Sequence, residues 1–152
     1  MSIKAAAKSD FMTVKKITHT TIREVYPHYY PEGAVLFFLR HHSDESILDD
    51  ITEGSVFLCV NQDHIPVGTV TLKENEICRL FVLPQFQGMG YGKELLDFAE
   101  AEIAQNYTEI MLDASFPGKA LYLKRGYTEY EYRTVDTGHN DFLCYDIMIK
   151  PV

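Results

Sequence analysis

Along the chain the hydrophobic positions change period several times, and each change marks an element. Ser2 to Ala6, SIKAA, reads as a short first strand. Ser9 and Asp10 are residue types that cap helix starts, and Phe11, Val14, Ile17, Ile22 and Val25 follow at helical spacing. Pro27 and Pro31 interrupt that helix. A second follows over PEGAVLFFLRHH, with Pro31 in the first turn, where a missing N–H does no harm. DESILDDI adds a further helical turn or two. The period then becomes that of strands. SVFLCVNQ, IPVGTVTLK and EICRLFVLP, separated by turns at Asp63-His64 and Asn75, predict an antiparallel meander. Beyond a glycine-rich stretch, Leu95, Leu96, Phe98, Ala99 and Ile103 share one broad helical face. TEIMLDAS is the next strand, and PGKALYLKR a helix with Pro117 in its first turn. GYTEYEYR and DFLCYDIMI are two more strands, joined by the polar turn TGHN. The order β, two to three helices, βββ, α, β, α, ββ predicts an α/β fold of the α+β type. Its sheet is mixed and mostly antiparallel, with six to seven strands, about four flanking helices and one right-handed crossover. No repeat, low-complexity tract or linker interrupts residues 1–152, so one domain is expected.

Composition narrows the partners. A hydrophobic content of 46% and a charged content of 24% are those of an ordinary globular protein. The net charge of -8 argues against non-specific nucleic-acid binding, which needs a basic face, and favours cationic small molecules. Cys59, Cys78 and Cys144 lie in apolar, strand-like runs without close spacing, which suits buried thiols in a reducing compartment. No Cys/His cluster has zinc-ligand spacing, so no metal is expected. MSIKAAAKSD lacks the apolar stretch of a signal peptide, and no run is long enough to span a membrane. The expected location is therefore cytoplasmic, with no membrane partner.

The glycine-rich stretch is QFQGMGYGK, Gln85 to Lys93, with Gly88, Gly90 and Gly92 at alternate positions. Glycine gives up more backbone entropy on folding than any other residue, so a cluster of three calls for a reason. A strand, a glycine-rich turn and a helix start together present unpaired N–H groups, and the helix dipole favours negative charge there. An anion site is the sharper reading and a plain turn the blander one. The dinucleotide fingerprint GxGxxG fails because Lys93 stands where its third glycine belongs. The nucleotide P-loop fails too, because Gly92-Lys93 is followed by Glu94 and Gln87 stands where its first glycine belongs.

Gln87-Gly88-Met89-Gly90-Tyr91-Gly92 fits the pattern Q/R-x-x-G-x-G/A. Preceded by LFVLP and followed by a helix, it resembles the acetyl-CoA signature of the GCN5-related N-acetyltransferase (GNAT) superfamily. Downstream, LYLKRGY, Leu121 to Tyr127, looks like the family's "lYeklGF" segment. The element order resembles the family's fold from the first strand to the last. This resemblance implies acetyl-CoA as co-substrate. It implies a bulge in the third meander strand and a splay between that strand and the next. Leu80, Phe81 and Val82 would then pair with the pantetheine arm as an added strand does. The N–H groups of Gly88, Met89, Gly90, Tyr91, Gly92 and Lys93 would line the pyrophosphate, and Gln87 counts with them among the cofactor-binding residues. The Lys93 side chain either adds charge or faces solvent.

The chemistry has three requirements: a neutral amine, a donor for the tetrahedral oxyanion, and a hydrogen bond or proton for the leaving thiolate. By resemblance, the oxyanion donor is the Val82 N–H and the general acid is Tyr122. A thiol titrates at about 8.5 and a tyrosine at about 10, so proton transfer comes only late in expulsion. Tyr122 also has a plain reading, as one of 10 tyrosines packing a helix on the sheet. Glu76 stands where part of the family carries its base, and its plain reading is a solvated turn residue. Two departures are visible: Ser115 replaces a frequent asparagine and Gly118 a frequent alanine. Ser115, being shorter, would reach the pantetheine arm directly or through water.

Acceptor selectivity in such a fold comes from the first two helices and the last two strands. Tyr26, His28, Tyr29, Tyr30, His41 and His42 give that region many polar aromatics, whose faces can hold an ammonium. Tyr26, Tyr29 and Tyr30 are the candidate substrate residues, with core packing as the competing reading. The chain is thus expected to be an N-acetyltransferase acting on a primary amine by direct attack in a ternary complex. A small molecule is favoured because no extra docking segment is seen. The alternatives are a protein or peptide N-acetyltransferase, a non-catalytic acyl-CoA sensor, and an interaction protein that keeps only the fold. A homodimer through edge strands is common for such folds.

Overall fold

The computed structural model describes residues 1–152. Its strands are β1 (Ser2–Ala5), β2 (Val56–Val60), β3 (Pro66–Lys73), β4 (Glu76–Val82), β5 (Glu109–Ala114), β6 (Thr128–Asp136) and β7 (Phe142–Pro151). Its helices are α1 (Phe11–Val25), α2 (Glu32–His41), α3 (Asp44–Thr52), α4 (Tyr91–Ala104) and α5 (Phe116–Lys124). The strands form one seven-stranded sheet in the order β1-β2-β3-β4-β5-β7-β6. Every pairing is antiparallel except β4 with β5, which the crossover through α4 makes parallel. The expected mixed sheet and element order are those observed.

Each face of the sheet is covered by the helices whose apolar stripe fits it. On one face Val14, Ile17 and Ile22 of α1, Ala34 of α2, and Ile47 and Ile51 of α3 pack on Val56, Leu58, Phe81 and Leu143. On the other, Leu95, Leu96, Ala99 and Ile103 of α4 and Tyr122 of α5 pack on Val70, Ile77, Val82, Ile110 and Leu112. Fully burying one such aliphatic side chain stabilises the fold by roughly 1.5–3 kcal/mol. The Asp10 carboxylate leaves the start of α1 uncapped and instead accepts the Ala7 N–H at 2.9 Å. Ser43 caps α3 by accepting from the Ser46 N–H at 3.2 Å.

One irregularity positions the site. Against β3, Leu72 pairs with Ile77 but Thr71 pairs with Arg79, so Cys78 is an extra residue in β4. A bulge of this kind shifts the alternation of faces. Ile77 therefore enters the α4 side, whereas Arg79 and Phe81 turn toward α1, α2 and α3. Beyond the bulge β4 bends away: its pairing with β5 is confined to Glu76–Met111 and Ile77–Leu112. The central pair opens into a fork.

Candidate active site

Within the fork, hydrogen-bond direction follows from strand alternation. Leu83 N–H donates to the Val67 carbonyl of β3 at 2.9 Å. Phe81 and Arg79, two and four residues back, share that direction; Leu80 and Val82 point the other way, into the gap. The Val82 carbonyl is already taken. It accepts from the Gln87 side-chain amide at 2.9 Å and from the Thr21 hydroxyl at 3.3 Å. Gln87 thus ties the end of the fork to the glycine turn through its side chain.

That turn is built by backbone conformation. Gly88 has φ +76° and Gly90 φ +93°, in the left-handed region where a side chain is strained. A β-carbon on Gly92 would meet nothing nearer than 3.9 Å. Two of the three glycines are therefore required by the turn itself, and the third stands on the opening turn of α4. The result is a run of N–H groups, from Gly88 to Lys93, none of which donates to another group of the protein. The first amide of α4 to return to a preceding carbonyl is that of Glu94, to Gly90 at 3.1 Å. These bare amides converge on the positive end of a helix, the arrangement that receives a phosphate. In this structure the Lys93 ammonium pairs with Asp97 at 2.7 Å on the exposed flank of the helix. The side chains of Met89 and Tyr91 also turn from the fork. They line a groove with Asn61, Gln62 and Asp63.

Tyr122 comes from α5, which is fixed at both ends. At its start, the Phe116 N–H donates to the Tyr30 hydroxyl at 2.7 Å. At its end, Gly126 adopts φ +89° and the Tyr127 N–H returns to the Tyr122 carbonyl at 3.1 Å, closing the last turn. Arg125 then reaches Glu100 at 2.6 Å and Asp97 at 2.7 Å on α4, and Tyr127 adds a bond to Glu100 at 3.2 Å. The Arg-Gly-Tyr segment is thus a clamp that holds α5 on α4. Gly118 opens the space beside the ring, since a β-carbon there would lie 2.9 Å from the Tyr122 ring edge. The Tyr122 ring is buried, yet its hydroxyl has no hydrogen-bond partner in the protein. Burial raises its pKa above the ordinary tyrosine value, with Tyr26 reinforcing the shift, so it stays protonated and able to donate.

Two pockets meet at this ring. One, of about 310 Å³, contains Val82, Gln87, Gly88, Gly92, Gly118 and Leu121. The other, of about 160 Å³, contains Phe37, Phe38, His41, His42, Asp113 and Tyr145. Tyr26, Leu80, Phe81, Ser115 and Tyr122 line both. Burial pushes the Tyr26 hydroxyl up to about 12, with the nearby Ser115 drawing it back. Of the three tyrosines considered for the acceptor, the structure brings only Tyr26 to these pockets. Tyr30 is spent on Phe116, and Tyr29 is half open to solvent, lining neither.

Glu76 sits at the closed end of the fork, half-buried and outside both pockets. Burial raises its carboxyl above the usual range, and Asp113 adds to the shift. The carboxylate that does line a pocket is Asp113, the first β5 residue beyond the last pair with β4. Sequence reasoning did not single it out, nor the group behind it. Arg79, 4% exposed, donates to His42 Nδ1 at 3.2 Å, Thr71 Oγ1 at 3.0 Å and Asp50 Oδ2 at 3.0 Å. Asp50 also holds Lys73 at 2.5 Å. Burial, then Arg79, keeps His42 far below the usual histidine value, hence neutral. With Nδ1 accepting, its proton is on Nε2. No three His, Cys, Asp or Glu side chains gather into a metal-binding group, and no helix is long and apolar enough to cross a membrane.

A family model described as acetyltransferase (GNAT) domain matches residues 25–142. Among solved structures, a GCN5-related N-acetyltransferase from Rhodopseudomonas palustris superposes with a TM-score of 0.87 at 23% identity, covering 99% of this chain and 95% of that one. PaiA N-acetyltransferase from Thermoplasma acidophilum, in complex with coenzyme A, gives 0.78 at 20%, covering 99% and 98%. YncA from Salmonella typhimurium, a putative acetyltransferase with its cofactor acetyl-CoA, gives 0.74 at 15%, covering 99% and 93%. At these identities the likeness is one of fold. No curated protein shows a significant match.

Proposed function

Because the chain belongs to the GNAT acetyltransferase family, we propose that it moves the acetyl group of acetyl-CoA directly onto the primary amine of a small molecule within a ternary complex. One observation carries this reading: Tyr122, whose hydroxyl has no partner in the protein, lines both the pocket beside the glycine turn and the aromatic pocket. The bare amides of Gly88 to Lys93 hold the diphosphate of the donor. The Leu80 backbone groups that face the fork pair with its pantetheine arm, which brings the thioester to Tyr122 and leaves the Val82 N–H for its carbonyl oxygen.

In the reaction the ammonium first loses a proton to water. The neutral nitrogen attacks the thioester carbon, forming the C–N bond, and the carbonyl oxygen becomes an oxyanion that accepts from the Val82 N–H. Collapse breaks the C–S bond. The leaving sulfur takes a hydrogen bond from Tyr122 and then its proton, and the proton lost by the nitrogen restores the tyrosine. The products are an amide, free CoA thiol and the one proton shed by the ammonium. Glu76, outside both pockets, acts at most through intervening water.

Thiol release from acetyl-CoA tests the proposal, measured with and without a panel of primary amines. Release that requires an amine is expected. Tyr122→Phe is expected to lower kcat by about 10²-fold, the low end for a general acid, while the CoA dissociation constant is unchanged. CoA binding without amine-dependent release from any acceptor would make the protein a sensor instead.

A further inference from the structure

The aromatic pocket defines what it can accept. Its walls are Phe37 and Phe38 of α2, Phe81 of β4, and Leu143 and Tyr145 of β7. Its volume of about 160 Å³ matches a cavity that takes one benzene-sized group, about 150 Å³. The charged groups around it are unequal. Arg79 touches the pocket, but its guanidinium is committed to His42, Thr71 and Asp50. His42 is neutral and offers only an N–H. Asp113, in contrast, makes no ion pair and no hydrogen bond within the protein. The nearby Arg133 is spent on Glu131 at 3.0 Å. The pocket therefore has one anion without a partner, the imidazole of His41, no lysine or arginine without a partner, and a greasy body.

We infer that the acceptor is a compact, mainly apolar primary amine without a carboxylate or phosphate, whose ammonium is received by Asp113 while its hydrocarbon part lies against Phe37, Phe38 and Tyr145. This rests on the acetyl-transfer reading of the same site. Three features support it. Asp113 stands exposed at the edge of the pocket, and partial desolvation raises its carboxyl above the usual range, with His41 and then Arg133 drawing it back. Asp113 is near enough to Glu76 for its charge to raise the Glu76 carboxyl, so the two acids share one negative region. An acceptor carboxylate would meet Asp113 with no unpaired lysine or arginine beside it to offset the repulsion.

The matched probes are 2-phenylethylamine and L-phenylalanine, which differ only by a carboxylate, with hexylamine as the non-aromatic member. Asp113→Asn keeps the shape and removes the charge, and CoA binding is followed by calorimetry in every variant. The expected result is kcat/KM for 2-phenylethylamine and hexylamine at least tenfold above that for phenylalanine. Asp113→Asn should raise KM for both amines roughly tenfold, as expected for a lost charge-assisted hydrogen bond, with CoA affinity unchanged. If CoA binds and thiol is released, but phenylalanine or a lysyl peptide is the better acceptor, this inference is overturned while acetyl transfer stands. The same holds if Asp113→Asn leaves KM where it was. If neither CoA binding nor thiol release is seen with any amine, the transfer reading itself falls.

Discussion

Tyr122 owes its place to a single missing atom. A β-carbon at Gly118 would sit 2.9 Å from Tyr122 Cε2 and 3.3 Å from Ser115 Oγ. The Ser115 hydroxyl can rotate away, but the ring edge at 2.9 Å cannot, so the ring must shift. Gly118→Ala is therefore expected to lower kcat by about tenfold or more through misplacement of the hydroxyl, while thermal stability is little changed. Steady-state kinetics beside a melting curve check this; unchanged kcat would mean that the ring position is not critical. In the sequence Gly118 is visible only as a departure from the family pattern, and its reason is steric. Asp113 is harder to see. A lone acid near a strand end looks solvated, as Asp113 in part is, and only the fork places it on a pocket wall. Gly88 and Gly90 are read correctly as special positions, but chain geometry accounts for them before any ligand does.

At the scale of elements, α2 carries two of the pocket's phenylalanines and is capped from the far end of the chain. The Gly33 N–H donates to Asp141 Oδ2 at 2.9 Å, across 108 residues, and Thr137 holds the same carboxylate. A β-carbon on Gly33 would collide with both side chains. Gly33→Ala is expected to cost about 1–2 kcal/mol, typical of a lost helix cap, and to raise KM for the amine as α2 moves. Denaturant unfolding measures the first effect and amine kinetics the second. This docking is illegible in the sequence, where Gly33 follows Pro31-Glu32 and passes for an ordinary helix start. The strands, the meander and the glycine-led helix are legible because period and turn chemistry agree. The bulge and splay come only with the resemblance, because neither Cys78 nor its neighbours announce them.

At the scale of the whole molecule, His42, Arg79, Asp50 and Lys73 form a polar seam between the sheet and helices α2 and α3. Burial, then Arg79, His41 and His19, depress the folded-state pKa of His42. The unfolded chain titrates near about 6.5 and binds the proton first, so stability is retained above that pH and declines as pH falls below it. The melting temperature is expected to drop from pH 7 to pH 5, at a limit of about 1.4 kcal/mol per pH unit for one group. His42→Gln, which keeps an acceptor for Arg79, should flatten the slope; an unchanged slope would assign it to other groups. The account as a whole depends on the donor's diphosphate lying on the turn at the head of α4. Its most direct test is an amide NMR titration with CoA. The N–H resonances of Gly88 to Lys93 should move together and saturate, and they should move far less with pantetheine, which lacks the diphosphate. Saturable CoA binding that leaves those resonances in place would contradict the account.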